Sequence, residues 1–100
     1  MPGLRLTRAA RADLREIYAY TFVEWGEQQA DSYLDGLEQA LDRVSRGLAT
    51  IRPLHSKHPN MLKLKQGRHL IILQKTGDDQ ILVVRVLHER MDIDAHLGGQ

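Results

Sequence analysis

The apolar positions at the start of the chain alternate and then change to a helical period. Leu4 and Leu6 flank Arg5, which predicts a short strand over residues 3–6. Thr7 is typical of a residue that caps the N-terminus of a helix. Apolar and aromatic residues then recur every three or four positions, which predicts a long amphipathic helix: Leu14, Ile17, Tyr18, Thr21 and Trp25.

Gly26 divides the helical pattern in two, as glycine often does at the end of a helix. A second helix is predicted from Glu27 over about six turns, with the stripe Ala30, Tyr33, Leu34, Leu37, Leu41, Val44 and Leu48. Two long helices joined by so short a break predict an antiparallel hairpin. The aromatic side chains lie at core spacing, so we expect them to pack against a sheet rather than to stack on nucleobases: Tyr18, Trp25 and Tyr33.

The second half of the chain has the alternation of β-strands. Residues 51–60 (IRPLHSKHPN) have two prolines and no period, which predicts a loop. Strands are predicted over residues 61–65, 68–75 and 81–88, with turns at 66–67 and 76–79. The sequence therefore predicts a single α+β domain over residues 1–100: an N-terminal strand, a two-helix antiparallel hairpin, then three antiparallel strands with a short C-terminal tail.

Both faces of the predicted sheet are apolar. Because successive strand residues point to opposite faces, one face of the last strand is expected to present Ile81, Val83, Arg85 and Leu87, and the other Leu82, Val84 and Val86. A two-helix layer covers only one face, so the second needs another cover. Either a second subunit or a different protein binds there through Ile81, Val83, Arg85 and Leu87, or the tail folds back over it through Met91, Ile93 and Leu97.

Composition narrows the classes of function. Residues 1–50 carry six basic and eight acidic side chains (−2), whereas residues 51–100 carry eight and five (+3) together with all five histidines. The absence of cysteine excludes disulfides and thiolate metal sites. Because we find neither a signal-peptide core nor an apolar run of about 18 residues, we expect a cytoplasmic protein.

Candidate chemistry is concentrated in the basic half. Several cations and two histidines of the strands could contact phosphate groups: Lys63, Lys65, Arg68, Lys75, Arg85, Arg90, His69 and His88. His88 and Glu89 offer an acid and a base, but neighbouring strand residues point to opposite faces. The pair His55 and His58 lacks an obvious third ligand. No glycine-rich phosphate loop, HExxH or Ser-His-Asp arrangement stands out, so we expect no catalytic residues, no metal and no cofactor.

Three segments resemble one family over nearly the whole chain. They are ADLREIYAY (residues 12–20), GRHLIIL (67–73) and RVLHERMDIDAHL (85–97), and they are similar to the ParE branch of the RelE/ParE superfamily of bacterial toxins. The resemblance implies the toxin of a type II toxin–antitoxin system that inhibits DNA gyrase by binding rather than as an enzyme. It also implies neutralisation by a ParD-type antitoxin, which is a ribbon-helix-helix DNA-binding protein.

The resemblance suggests three groups of site residues. Residues expected to bind the target, or to set the geometry of the tail, are Arg85, His88, Glu89, Arg90, Met91 and Asp92. Further contacts with nucleic acid or the target are expected from Lys63, Lys65, Arg68 and His69. The antitoxin would contact Ile81, Val83, Arg85 and Leu87. We expect removal of residues 92–100 to lower toxicity while the fold persists.

Two alternatives remain at this stage. A RelE-like toxin would cleave mRNA on the ribosome, but cleaving members carry an arginine on the strand that GRHLIIL resembles, and a tyrosine near the C-terminus. Here the matching strand position carries His69, and no tyrosine follows Tyr33. The other alternative is a non-toxic relative that only binds an antitoxin.

Overall fold

The computed structural model of the chain describes residues 3–54 and 57–97. Its elements follow the predicted order: β1 (Leu4–Leu6), α1 (Arg8–Trp25), α2 (Glu27–Ser45), β2 (Arg52–Pro53), β3 (Met61–Gln66), β4 (His69–Gly77), β5 (Gln80–His88) and α3 (Ile93–Leu97). The α+β class, the helix hairpin and the three long antiparallel strands are confirmed. Sequence reasoning missed β2, inside the predicted loop, and α3, inside the tail.

The strands form one sheet in the order β1-β5-β4-β3-β2. β1 runs parallel to β5, whereas the other neighbouring pairs are antiparallel. The helix hairpin connects β1 to the remaining strands and forms a layer on one face. Thr7 caps α1 by accepting a hydrogen bond from the Ala10 N–H at 3.0 Å. Gly26 separates the helices with a φ of 91°, which a residue with a Cβ adopts only at a cost.

Two cores lie on the two faces of the sheet. The helix-side core includes Leu37, Leu41, Ile71 and Val83. The far-face core consists of the buried residues Leu54, Ile72, Leu87 and Leu97, with Met61, Leu70, Val84 and Ile93 packed around it. α3 therefore covers the second face through Ile93 and Leu97, which is the tail alternative of the sequence analysis, although Met91 is exposed and takes no part in this core. The part of the tail that the structure describes, up to Leu97, is docked on the sheet.

A β-bulge in β5 makes the predicted division of its faces wrong. In the register with β4, Ile72 pairs with Arg85 while Leu73 pairs with Val83, so Val84 is the inserted residue. Val83 and Val86 both belong to the helix-side core, while Val84 and Leu87 pack in the far-face core. The four residues predicted to share one open face are therefore divided between the two faces.

The end of the helix hairpin is exposed, contrary to the prediction that Trp25 faces the sheet, whereas Tyr33 packs against the helix-side core as predicted. Trp25 is 73% exposed, Tyr20 65% and Phe22 44%. Tyr18 and Tyr33 are only half-buried. Residues 22–29, around the break between the helices, are all exposed, so helical spacing there no longer implies burial. Leu48 is also exposed, at 70%, because α2 ends at Ser45.

Side chains of the α1 region replace a missing strand beside β5. β1 pairs only with residues 81–83 of β5. Beyond that point the Thr7 hydroxyl donates to the Val84 carbonyl at 2.6 Å, and an Asp13 carboxylate oxygen accepts the Val86 N–H at 2.9 Å. Two backbone groups at the open edge of β5 are therefore hydrogen-bonded without a neighbouring strand.

Candidate functional site

The site is organised around one buried carboxylate. Asp13, on the sheet-facing side of α1, is 7% exposed. Its two oxygens accept hydrogen bonds from Nε and Nη2 of Arg85, each at 2.8 Å, and one of them also accepts the Val86 N–H. The carboxylate raises the pKa of Arg85, mainly through this side-chain hydrogen bonding. A bidentate charged pair fixes both partners more strictly than a single contact would, so Asp13 pins the bulged part of β5 to α1.

The bulge directs His88 towards the helices. With regular alternation from Val83, His88 would lie on the far face of the sheet. The inserted residue reverses the alternation, and His88 instead lies opposite His69 in the β4–β5 register. The two imidazole rings meet edge to face, with centroids 5.3 Å apart and planes at 84°. The bulge thus assembles a pair of histidines where the two strands meet under the hairpin.

Tyr33 of α2 extends this ring cluster. Its phenolic oxygen lies 2.6 Å from Nδ1 of His69 and accepts the Arg68 N–H at 3.0 Å. Because Arg68 donates to the phenolic oxygen, the tyrosine's own proton is directed at Nδ1 of His69, which fits a neutral imidazole protonated on Nε2. Burial lowers the pKa of His69, and the neighbouring His88 lowers it further. His69 is thus held as a neutral hydrogen-bonding group at neutral pH.

The turn between β3 and β4 is shaped for Tyr33. Gly67 has a φ of 59°, and a Cβ built at this position would lie 2.7 Å from the Tyr33 hydroxyl oxygen. A side chain here would therefore displace Tyr33 as well as strain the backbone.

These residues line one wall of an open cleft of about 860 Å³. The exposed end of the helix hairpin forms the opposite wall. The cleft is lined by Asp13, Glu16, Ile17, Tyr20, Thr21, Trp25, Gln29, Tyr33, Arg68, His69, Val86, His88, Arg90 and Met91. A second concavity of about 950 Å³ lies elsewhere, between the end of α2 and the β4–β5 turn, and its lining includes Gly47, Asp78 and Asp79. Of these two concavities, the cleft is the one that combines aromatic rings, imidazoles and guanidinium groups, so we take it as the candidate site.

The residues predicted to bind a target separate into two groups. His88, Arg90 and Met91 line the cleft. Arg85 instead points inward to Asp13, and Asp92 accepts a 3.3 Å hydrogen bond from the Ala95 N–H at the start of α3. The contacts of Arg85 and Asp92 are thus within the fold, at α1 and at the start of α3.

Glu89 is held beside the cleft by a lysine. Nζ of Lys65 lies 3.1 Å from a carboxylate oxygen of Glu89. Hydrogen bonding to Lys65 and its charge lower the pKa of Glu89. The His88 ring accepts the Arg90 N–H at 3.1 Å through Nδ1, which fixes the turn that follows β5.

The residues predicted to make further contacts with nucleic acid or the target are only partly brought together in the cleft. Arg68 and His69 line the cleft, while Lys65 lies next to it through Glu89. Lys63 is half-buried in β3 opposite Ile72 and beside Arg52 of β2, and it is absent from the cleft lining. Of the four residues predicted to meet an antitoxin, Val83 and Leu87 are fully buried, and Ile81 packs against the helix-side core.

The histidine pair of the loop before β3 shows no role in the cleft. His55 lies outside the described residues. Nε2 of His58 is 3.1 Å from a carboxylate oxygen of Asp94, and Nζ of Lys57 is 3.6 Å from the other oxygen, so these contacts tie the loop to α3. Within residues 3–54 and 57–97, no three histidine or acidic side chains are grouped as metal ligands would be.

Sequence reasoning missed Asp13, Tyr20 and Trp25 as site residues and treated Tyr33 as core. The signal for Asp13 was present, because an acid stands on the apolar stripe three positions after Ala10 and four before Ile17. A charge at a core position is expected to have a buried partner. No comparable pattern in the sequence marked the cluster of Tyr33, His69 and His88, because its assembly depends on the bulge in β5.

The fold is shared with solved toxin–antitoxin structures. The structure titled "Chromosomal ParDE TA system from P. aeruginosa" superposes with a TM-score of 0.73 at 22% identity, covering 86% of this chain and 94% of that one. A chain of the RelBE2 toxin–antitoxin complex from Mycobacterium tuberculosis superposes with a TM-score of 0.61 at 17% identity, covering 85% and 94%. These likenesses define the fold class: the chain has the α+β fold found in chains of the ParDE and RelBE2 structures.

The sequence comparisons define the family within that class. Residues 4–93 match the family described as "ParE toxin of type II toxin-antitoxin system, parDE". The chain is 41% identical to Toxin ParE1 of Mycobacterium tuberculosis over 92 residues, which is 92% of this chain and 94% of that protein. It is 35% identical to Toxin ParE of Escherichia coli over 100 residues, covering 100% and 97%. The chain therefore belongs to the ParE toxin family of type II toxin–antitoxin systems.

No helix within the described residues is both long and apolar enough to cross a lipid bilayer.

Proposed function

We propose that this ParE-family toxin acts in the cytoplasm by binding DNA gyrase and stalling it on cleaved DNA, without breaking bonds itself. The observation that carries the proposal is the cleft, where His88, Arg90 and Met91 are presented beside an exposed aromatic helix end. Exposed rings and arginines at a concave surface are the composition of a macromolecular contact. The family resemblance supplies gyrase as the target.

The contacts that the ionisable groups make support target binding rather than RNA cleavage. A cleaving site needs a base, an acid and cations near the developing phosphorane charge. Here Arg85 is held by Asp13, and Lys65 is held by Glu89. Nδ1 of His69 contacts the Tyr33 hydroxyl. These contacts occupy two of the candidate cations and one imidazole. The cations that remain exposed, Arg68 and Arg90, can bind phosphate but cannot act as an acid or a base, which favours the gyrase proposal over a RelE-like endoribonuclease.

We further propose that a ParD-type antitoxin, a ribbon-helix-helix DNA-binding protein, neutralises the toxin by covering the cleft and the exposed helix end. The interface first predicted from β5 does not form one surface of the isolated chain, because Val83 and Leu87 are buried in different cores. The exposed apolar side chains of Tyr20, Phe22, Val23 and Trp25 offer a larger accessible area.

A gyrase cleavage assay tests the proposed function. Purified toxin is incubated with gyrase, ATP and supercoiled plasmid, and linear DNA is scored after detergent and protease. We expect linear DNA with the unaltered toxin and at least about tenfold less with Arg90→Ala, because truncating an arginine at the centre of an interface weakens binding strongly. Arg43→Ala is the matched control, because Arg43 is exposed in the last turn of α2 and does not line the cleft.

Each result has a defined meaning. Equal activity of Arg90→Ala and Arg43→Ala would contradict the assignment of the cleft. Absence of both cleaved DNA and altered supercoiling, from toxin shown by circular dichroism to be folded, would remove gyrase as the target. A ribosome-dependent mRNA cleavage assay then distinguishes a RelE-like nuclease from a non-toxic relative.

A further inference from the structure

The two walls of the cleft differ in chemistry. The hairpin wall presents the rings of Tyr20 and Trp25, which are 65% and 73% exposed. The opposite wall carries Arg68 and Arg90, both with exposed side chains. A ligand that fills this cleft therefore meets flat apolar surfaces on one side and positive charge on the other.

The acids near the cleft neutralise the positive wall only in part, since the charge of Glu89 acts on Arg68 but acts mainly on its ion-pair partner Lys65. Asp13 lies deep in the site and is paired with Arg85. Glu89 is paired with Lys65. Glu16 remains, and it stands on α1 rather than on the wall that carries the arginines. An anionic group is therefore favoured at the strand wall and disfavoured near α1.

Planar groups outnumber aliphatic ones in the lining. Five rings line the cleft, namely Tyr20, Trp25, Tyr33, His69 and His88, whereas the aliphatic side chains are Ile17, Val86 and Met91. A groove that takes the apolar anchors of a peptide helix is lined mainly by aliphatic side chains, whereas exposed ring faces stack on nucleobases. Arginine guanidinium groups are suited to phosphate oxygens.

We propose that the cleft binds a short single-stranded nucleic-acid segment directly, with bases against Tyr20 and Trp25 and phosphates against Arg68 and Arg90. This inference deepens the proposed function and rests on it for its biological meaning. The toxin would contact the DNA that gyrase has opened directly, as well as gyrase itself. It also explains why the aromatic end of the hairpin stays exposed beside a basic wall in a chain whose net charge is only +1.

The chain contains its own probe for this contact. Trp25 is its only tryptophan, and its indole lines the cleft. Purified toxin, without gyrase, is titrated with an oligodeoxythymidine of about six nucleotides while tryptophan fluorescence is recorded. We expect saturable quenching that weakens between about 50 and 200 mM salt, because phosphate contacts release counterions.

Variants locate the ligand. Arg68→Gln and Arg90→Gln should each lower the affinity about tenfold and reduce the salt slope by about 0.7. Tyr20→Ala should lower it at least about fivefold, because the ring that stacks on a base is removed. Arg43→Gln removes the same charge from the other end of α2 and should leave the affinity unchanged. All four side chains are exposed, so circular dichroism should show an intact fold.

Three results would overturn the inference. They are the absence of saturable quenching, equal affinity of Arg90→Gln and Arg43→Gln, and a glutamate-rich peptide of equal charge binding as tightly as the oligonucleotide in competition. The last would identify the cleft as a site for an acidic peptide. Since the titration contains no gyrase, gyrase poisoning without oligonucleotide binding overturns only this inference, and binding without poisoning overturns only the proposed function.

Discussion

Asp13 on α1 and Arg85 on β5 stand 72 positions apart in the sequence and are joined by two hydrogen bonds of 2.8 Å each. The same carboxylate accepts the Val86 N–H. The contact lies at the bulge that turns His88 into the cleft, so it links the N-terminal helix to the geometry of the candidate site.

Replacing Asp13 by asparagine should destabilise the fold and loosen the site. The change leaves Arg85, whose side chain is 23% exposed, without its charged partner, at a cost of about 3 kcal/mol. Urea unfolding measures this free energy. Asp42→Asn is the control, because its pair with Arg46 is an exposed contact within α2 and should be worth less than about 1 kcal/mol. Equal effects of the two substitutions would contradict a special role for Asp13.

His69 should titrate below its usual range. Burial and the neighbouring His88 lower its pKa from 6.5. The fold thus favours the neutral form of His69. The contribution of neutral His69 to folding stability is complete above about pH 6.5, and it is lost as the pH falls through the lowered pKa of His69 in the folded state. Nuclear magnetic resonance of the ring protons measures the midpoint. In His88→Gln we expect the midpoint to move upwards, and an unchanged midpoint would show that burial alone sets it.

Gly67→Ala should disturb the ring cluster. The left-handed φ costs an alanine about 1–2 kcal/mol, and the new Cβ would meet the Tyr33 hydroxyl. Thermal unfolding and the chemical shifts of the His69 ring report the two effects. Gly36→Ala is the control, with the opposite effect expected. Gly36 lies inside α2, and a Cβ added there would be 3.5 Å from Nε2 of Gln66, which is an ordinary contact. That helix should gain about 0.5–1 kcal/mol.

The tail should prove necessary for stability. Leu97 is 5% exposed in the far-face core, so Leu97→Ala should cost about 2–5 kcal/mol. Removal of residues 92–100 is consequently a poor test of toxicity, contrary to the sequence-based expectation, because it uncovers Leu87 and Ile72. Met91→Ala, at a residue 45% exposed, should change the unfolding free energy little. A stable, folded truncation would show that α3 contributes less than its burial indicates.

Local patterns were sufficient to predict most of the fold. Thr7, Gly26 and the alternation of the strands each act through neighbours close in sequence, and the corresponding elements are confirmed. The bulge at Val84 was not predictable in this way, because it depends on Asp13 holding the Val86 N–H from another element. That one residue reversed the faces assigned to Val86 and Leu87. The exposure of Trp25 was missed because periodicity does not show where the sheet beneath a helix ends.

The side chains that close the open edge of β5 have a consequence for the isolated chain. An exposed strand edge is a template on which another copy can add its own strand, which leads to aggregation. At Val84 and Val86 the pairing groups are already taken by Thr7 and Asp13. Two residues from the N-terminal part of the chain thus also make this stretch of edge unavailable for strand exchange between molecules when no other protein covers it.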